Sequence, residues 1–151
     1  MVIGTILIDR LSKIRVENAL ASYQPYPIAG QFFRLSLGYN DGVAFGLFSN
    51  GGIWPLFISG IVIILMFIWF LLALHKGDLP LKMIMPIGLI YGGAIANFTD
   101  RLNDGRVTDF LDIGIGSLRW PTFNLADSLL VIGIAILMLL TIKKETLTNE
   151  Q

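Results

Sequence analysis

The sequence predicts an all-α membrane protein of four transmembrane helices, and two observations support this fold class. The chain of 151 residues is 54% hydrophobic and only 15% charged, whereas soluble domains carry about a quarter charged residues. Its mean hydropathy is +0.71, and apolar stretches of membrane-crossing length recur along it. Because this length suits one domain, we treat 1–151 as a single membrane domain.

Three apolar stretches predict transmembrane helices, and a fourth helix is implied at the N-terminus. The stretch 53–74 has no charged residue. At about 1.5 Å per residue it reaches about 33 Å, enough to cross a hydrocarbon core of about 30 Å. The stretch 83–100 is rich in glycine and alanine, which let helices approach closely in lipid. The predicted spans are 1–17, 53–74, 83–100 and 122–142.

The N-terminal span is the least regular of the four. Its apolar part, Met1–Ile8, is too short to cross a bilayer and runs directly into Asp9, Arg10 and Lys13. It also lacks the charged region and cleavage site of a signal peptide. We therefore expect the helix to continue to about Val16, and several residues to be missing before the first one.

Two long polar connections, 17–52 and 100–121, alternate with a tight turn at 75–81. With an even number of spans, both connections lie on one side of the membrane, where we expect a small loop and β subdomain. Basic residues predict that the turn and the tail are cytoplasmic, so the subdomain would be extracytoplasmic. Arginines on the long-connection side count against this orientation, but three of them alternate with aspartates and are expected to be paired. The turn and tail residues are His75, Lys76, Lys82, Lys143 and Lys144.

Composition excludes several classes of function. Eleven basic and eleven acidic residues give no net charge, so the chain lacks the basic surface of a nucleic-acid-binding protein. Without cysteine it has no disulfide, thiolate metal site or cysteine nucleophile, and a single histidine rules out a polyhistidine centre. The segment 100–111 superficially resembles a calcium loop, but Leu102 and Leu111 occupy positions that need oxygen ligands. We therefore predict no metal and no cofactor.

Carboxylates are predicted to lie deep in the membrane near one of its faces. Counting back from Lys143 places Asp127 about 24 Å along its helix, and counting forward from Lys82 places Asn97 about 22 Å and Asp100 about 27 Å along theirs. Because these spans are antiparallel, the groups reach the same depth. A charge in lipid costs up to about 3 kcal/mol, so such a residue is a functional candidate by default.

The spacing of these groups suggests acid–base chemistry. Asn124 with Asp127, and Asn97 with Asp100, each stand three residues apart on one helical face. Asp109 follows in an apolar setting in the connection between the two helices. Two carboxyls about 3 Å apart share one proton, so one can act as a base toward water and the other as an acid toward a carbonyl oxygen. Depth alone would pair Asp100 with Asp127.

Five short motifs surround these residues in a fixed order. They are Asp9–Lys13 (DRLSK), Tyr39–Gly46 (YNDGVAFG), Gly92–Arg101 (GGAIANFTDR), Val107–Phe110 (VTDF) and Phe123–Ser128 (FNLADS). Together they resemble the motif series of lipoprotein signal peptidase, also called signal peptidase II, over nearly the whole chain. Each motif alone is a weak signal, but the five in order among four spans are a strong one.

The resemblance implies an aspartic endopeptidase of the bacterial inner membrane, working as a monomer with its site on the extracytoplasmic side. Its partners would be membrane lipids and diacylglyceryl-modified prolipoproteins, whose signal peptides it would remove just before the lipidated cysteine. It implies Asp109 and Asp127 as the catalytic dyad, in place of the pairing by depth, with Asp100 held by a nearby arginine. The supporting residues implied are Asn40, Asn97, Arg101, Asn124, Asp9, Lys13, Asp100 and Gly42.

Four residues depart from the family pattern and keep an alternative open. Arg10 replaces glutamine, Asp41 replaces threonine or asparagine, Ala96 replaces glycine and Thr108 replaces valine. Asp41 would add an anion near the dyad, which would raise its pKa values. The chain could therefore be a catalytically impaired paralogue that binds lipoproteins. A small ion-pathway protein is the other alternative, but it would carry acids at several depths.

Simpler structural roles are also open for the same residues. The role of Asp127 could be limited to capping its helix. Asp9 and Lys13 could form a helical ion pair with no further role. The residues of segment 40–42 are typical of a turn, which could be their only role. Within the peptidase hypothesis, Asn124 and Asn40 are the candidate donors to an oxyanion, and the long first connection is a candidate flap. Phe45, Phe48, Trp54 and Trp120 are expected to be interfacial anchors.

Overall fold

The computed structural model describes residues 1–43 and 47–149 and contains, within them, four helices and a small antiparallel sheet. Ala44, Phe45 and Gly46, the end of the second motif, lie outside the described residues. The predicted combination of helices with a small β subdomain is therefore confirmed. The elements are α1 Val2–Ala19, β1 Tyr26–Ala29, β2 Phe33–Asn40, α2 Trp54–His75, α3 Leu81–Asp104, β3 Val107–Ile115, β4 Leu118–Arg119 and α4 Leu125–Asn149.

Three of the described helices are long and apolar enough to cross a membrane, namely α2, α3 and the Leu125–Ile142 part of α4. Helix α1 continues past Asp9 as expected, but charged residues between Asp9 and Glu17 lower its hydropathy. In the most apolar stretch of α2 no residue is buried within the chain, as expected of a helix that faces lipid.

Helix α3 lies at the centre of the bundle because its glycines allow its neighbours to approach closely. A Cβ at Gly92 would lie 2.5 Å from the Thr5 side chain of α1, and one at Gly93 would lie 2.5 Å from the Ala126 carbonyl oxygen of α4. Such distances leave no room for a side chain. The predicted role of small residues in this span is confirmed.

The sheet joins the two long connections at one end of the bundle. Strands β1 and β2 come from the first connection, β3 and β4 from the second, and the strand order is β1-β2-β3-β4. Because β2 pairs with β3, both connections lie at the same end, as predicted. Val16 of α1 packs with Leu37 and Phe110 of the sheet in a small buried cluster, which anchors the sheet to the bundle.

Ion pairs hold the outer part of the sheet together. The buried Asp112 of β3 lies 2.6 Å from Arg34 Nη2 and 2.7 Å from Arg119 Nη2. Arg106 pairs with Asp104 at 3.4 Å. Of the three arginines expected to be paired with aspartates, Arg106 and Arg119 confirm the prediction, whereas Arg101 donates hydrogen bonds to backbone carbonyl oxygens.

Candidate active site

The predicted polar residues meet where the sheet covers the ends of α3 and α4. They line one wall of a cavity of about 620 Å³ whose other walls are mostly apolar. The polar lining includes Asn40, Asn97, Arg101, Asp109 and Asp127, and the apolar lining includes Val107, Phe123, Leu130, Val131 and Ile132.

Asp127 is held by the cap of α4. Asn124 precedes the helix, and its Oδ1 accepts a hydrogen bond from the Asp127 backbone N–H at 2.9 Å. In return, Asp127 Oδ2 accepts the Asn124 backbone N–H at 3.2 Å. This reciprocal arrangement is a capping box built from asparagine and aspartate. The capping role considered for Asp127 is therefore real, and the same carboxylate also faces the cavity.

Asp109 lies on β3 with 3% of its surface exposed. Asn124 Nδ2 donates a hydrogen bond to its Oδ1 at 2.7 Å, so one asparagine contacts both aspartates. Burial raises the pKa of Asp109 to about 7, and the charge of Asp127 adds to the rise, against hydrogen bonds from Asn124 and Asn40. The pKa of Asp109 therefore lies where a group can hold a proton at neutral pH.

Asn97 connects the aspartates to the rest of the bundle. Its Nδ2 donates to Asp127 Oδ1 at 2.7 Å, which confirms that these two groups reach the same depth. Its Oδ1 accepts hydrogen bonds from Asn124 Nδ2 and Lys13 Nζ, both at 3.1 Å. The amide is thereby fixed in one orientation, with its donor toward Asp127.

Lys13 forms a buried ion cluster on the far side of Asn97. Its side chain is fully buried, and its Nζ lies 2.6 Å from Asp9 Oδ2 and 2.7 Å from Asp100 Oδ2. The pairing of Asp100 with Asp127 suggested by depth alone is therefore wrong. Asp100 does have an arginine nearby, because Arg10 Nη1 lies 4.0 Å from its Oδ1, but its closest partner is the buried lysine.

Asp9 and Lys13 are more than a helical ion pair. Besides Lys13, Asp9 Oδ1 accepts the backbone N–H of Ala126 at 2.9 Å. Ala126 directly precedes Asp127, so α1 holds the first turn of α4. The nearly complete burial of Asp9, at 1% exposure, agrees with this role between helices.

Arg101 holds the 40–42 turn beside the cavity through hydrogen bonds. Its Nη2 donates to the Gly42 carbonyl oxygen at 2.6 Å and its Nη1 to the Asn97 carbonyl oxygen at 3.2 Å. Asn40 Oδ1 accepts the Gly42 N–H at 2.9 Å, so the segment is the predicted Asx-type turn. Gly42 thus serves through its backbone, and Asn40 faces the cavity.

The suggested oxyanion role of Asn124 does not agree with this geometry. Asn124 is completely buried, and its amide donates to Asp109, to Asn97 and, at 3.4 Å, to the Thr108 carbonyl oxygen. The amide is therefore occupied in holding the two aspartates. Of the two candidates, only Asn40 lines the cavity.

One contact beside the site was not predicted. Thr108 Oγ1 donates a hydrogen bond to Glu17 Oε1 at 2.6 Å. From the sequence, Thr108 is only a departure from the family pattern, and no role is expected for Glu17. The two residues are 91 positions apart, and no local spacing relates them.

The family model described as signal peptidase (SPase) II matches residues 1–143 of the chain. The chain belongs to the signal peptidase II family. It is similar to the lipoprotein signal peptidase of Paraburkholderia phymatum, with 43% identity over 136 residues that cover 88% of this chain and 80% of that protein. The lipoprotein signal peptidase of Ralstonia nicotianae is 40% identical over 137 residues, covering 89% of this chain and 77% of that protein.

Two solved structures share the fold. Both are described as bacterial membrane enzymes determined by the in meso method. One superposes with a TM-score of 0.84 at 26% identity, covering 99% of this chain and 90% of that chain. The other has a TM-score of 0.78 at 27% identity, covering 94% and 90%.

Family and fold agree on a protease that is an integral membrane protein. The comparisons support neither alternative considered from the sequence, the lipoprotein-binding paralogue or the ion-pathway protein.

Proposed function

We propose that this chain is an aspartic endopeptidase that removes signal peptides from diacylglyceryl-modified prolipoproteins, cutting just before the lipidated cysteine. The observation that carries the proposal is the joint attachment of Asp109 and Asp127 to Asn124 on the wall of a largely apolar cavity. The lipoprotein signal peptidases to which the chain is similar support the choice of substrate.

We further propose that α1 is the fourth transmembrane helix of a single domain. The charged Asp9 and Lys13 are buried against α3 and α4, whereas Ile3, Leu7 and Leu11 are more than half exposed. The helix thus exposes apolar residues on its outer face and buries two of its charges inward, while Arg10, Arg15 and Glu17 stay exposed. This arrangement suits a helix in lipid whose low hydropathy comes in part from a buried ion pair.

In the proposed reaction Asp127 accepts a proton from water while the water oxygen attacks the scissile carbonyl carbon. Asp109 donates its proton to the carbonyl oxygen, for which its pKa of about 7 suits it. The tetrahedral diol then collapses and the C–N bond breaks: Asp127 passes its proton to the leaving nitrogen, and a diol hydroxyl returns a proton to Asp109. One water is consumed, and the dyad again holds a single proton. Asn40 is the candidate donor to the developing oxyanion.

The cavity suits a substrate that enters from the bilayer. Its apolar wall includes Val131 and Ile132 of α4, which are 62% and 47% exposed on the outside of the bundle. The acyl chains of the substrate would lie against this wall, with about 0.8 kcal/mol for each CH₂ group buried. The basic residues of the 75–81 turn at the opposite end favour an extracytoplasmic site in the inner membrane.

The test is reconstitution of the purified chain in lipid with a diacylglyceryl-modified precursor, followed by measurement of signal-peptide release. Asp109→Asn and Asp127→Asn should each reduce turnover at least about 10³-fold. Asp104→Asn is the matched control, because Asp104 is exposed and paired with Arg106; it should retain activity. Cleavage that survives both dyad substitutions, or that needs no lipid on the precursor, would overturn the proposal.

A further inference from the structure

We infer that Glu17 and Thr108 form a positioning pair that sets the placement of Asp109. The Thr108 hydroxyl donates to the Glu17 carboxylate at 2.6 Å, a short hydrogen bond to a charged acceptor. Thr108 is buried at 6% exposure and directly precedes Asp109 on β3. The inference rests on the proposed function, because it assigns a role within that active site.

Around Asp109, the pairing of β3 with β2 is less regular than in an uninterrupted antiparallel ladder. Gly38 of β2 pairs with Asp109 and Leu35 pairs with Leu111, so the register shifts between these two pairs. Two residues of β2 oppose a single residue of β3 there, which is the count of a β-bulge. A contact from outside the sheet can therefore stabilise the position of Asp109 on β3.

Glu17 supplies that contact from a helix that is itself fixed. It lies one turn beyond Lys13 on α1, and Lys13 is held by two buried aspartates. Successive side chains of a strand point to opposite faces. Thr108 can therefore reach outward to α1 while Asp109 points to Asn124 and the cavity.

The same helix also holds the other aspartate. Asp9 accepts the backbone N–H of Ala126, next to Asp127, and Glu17 accepts the hydroxyl of Thr108, next to Asp109. Each contact is made to the residue that directly precedes a member of the dyad. Helix α1 thereby holds the backbone beside both aspartates. The hydrogen bond between Glu17 and Thr108 is its contact beside Asp109.

The experiment measures kcat, KM and the pH dependence of kcat for variants in lipid with the diacylglyceryl-modified precursor. Thr108→Val, which keeps the shape without the hydroxyl, and Glu17→Ala should each lower kcat about five-fold with KM unchanged. The double variant should lose no more than either single one. Thr108→Ser and Glu17→Gln keep the hydroxyl and the acceptor oxygen, so they should restore kcat. Asn18→Ala is the control on the neighbouring residue of α1.

The pH profile separates positioning from a purely structural role. The charged groups that act on Asp109 are Lys13 of α1 and Asp127 of α4, and Arg101 of α3 lies on the same cavity. The hydrogen bond from Asn124 holds the pKa of Asp109 down. Displacement of Asp109 changes its burial and its approach to Asp127, which raise this pKa, as well as the bond from Asn124. The high-pH limb of kcat should therefore leave its wild-type position in Thr108→Val.

The outcomes distinguish this inference from the proposed function. If the wild-type chain is active, Asp109→Asn is inactive and Thr108→Val matches wild type, only the positioning inference fails. A loss of thermal stability with kcat and the pH limb unchanged would also overturn it, because that result describes a structural contact alone. An inactive wild-type chain would overturn the proposed function first.

Discussion

Asp109 and Asp112 lie on the same strand but have opposite kinds of partner. Asp112 contacts two arginines at 2.6 and 2.7 Å, and its carboxylate is neutralised where it stands. Asp109 receives a hydrogen bond from the neutral amide of Asn124 at 2.7 Å, and the charged group with the largest effect on its pKa is another carboxylate, Asp127. Both are nearly fully buried, so burial alone does not separate their roles.

The difference shows how one strand carries a structural acid and a proton-holding acid. A cation beside a carboxylate favours its charged form, whereas burial with a second carboxylate favours the protonated form. Of the two buried cations near the dyad, Lys13 is directed to Asp9 and Asp100. Arg101 donates hydrogen bonds to the backbone carbonyl oxygens of Asn97 and Gly42. Charge pairing thus stabilises the fold around the dyad, while neutral amides contact the dyad itself.

The largest effect on stability should come from replacing the buried Lys13. Lys13→Met leaves Asp9 and Asp100 buried without their partner, and such a loss destabilises by about 3–5 kcal/mol. Arg34→Met is the matched change in the sheet. Asp112 keeps Arg119 there and the Arg34 side chain is 20% exposed, so the loss should be about 1 kcal/mol.

Equilibrium unfolding in detergent micelles measures both variants. Equal losses would mean that the two clusters do not differ in the way described. A Lys13→Met protein as stable as wild type would contradict the structural role of the buried lysine.

A second prediction concerns the approach of α3 to α4. In Gly93→Ala the new methyl group would lie 2.5 Å from the Ala126 carbonyl oxygen, so the first turn of α4 must shift and carry Asp127 with it. A displacement of about 1 Å at a catalytic group reduces turnover about 10²-fold. Gly4→Ala is the control, because nothing lies within 4 Å of its added Cβ; kcat should stay unchanged in that variant.

The pH dependence of activity gives a third prediction. Asp109 has a pKa raised to about 7 by burial and by Asp127, so it is protonated below this pH and loses its proton above it. Turnover should therefore fall about ten-fold per pH unit above 7 as the acid is lost. The same raised pKa lowers stability as pH rises from the model-compound value of 3.8 toward 7, because the unfolded chain has already released the proton.

Asp112→Asn tests whether the high-pH limb, the fall of turnover above pH 7, is caused by the dyad. It removes a carboxylate from the same strand but from the arginine-paired cluster, so the limb should stay in place while stability decreases. A limb that moves with Asp112→Asn, or that is absent from wild type, would show that Asp109 does not control it.

Much of the site could be predicted because helical geometry relates sequence position to depth. A fixed rise per residue was enough to bring Asn97 and Asp127 together from opposite directions, and they are 2.7 Å apart. The glycines of α3 predicted close packing for an equally local reason. Choosing Asp109 over Asp100 was beyond this reasoning, because Asp109 lies on a strand whose position depends on pairing with β2.

The errors share a physical cause. Asp100 was expected to be held by an arginine, and Arg10 lies 4.0 Å from it, but the closer partner Lys13, 87 positions away in sequence, was not foreseen. Asn124 was expected to face substrate, whereas its amide is occupied by contacts to Asp109 and Asn97. Which donor meets which acceptor is decided by tertiary packing, so it could not be read from the spacing of either residue.

The smallest expected effect tests the acidic departure at Asp41. Its carboxylate is exposed and accepts the Asn50 backbone N–H at 3.0 Å, whereas the neighbouring Asn40 lines the cavity. A threonine hydroxyl can accept the same N–H, so Asp41→Thr should change kcat less than about two-fold, within the range of ordinary surface substitutions. The high-pH limb of kcat should stay in place, because the charge of Asp41 lies outside the dyad. A large loss of turnover, or a downward shift of that limb, would show that the anion acts on Asp109 after all.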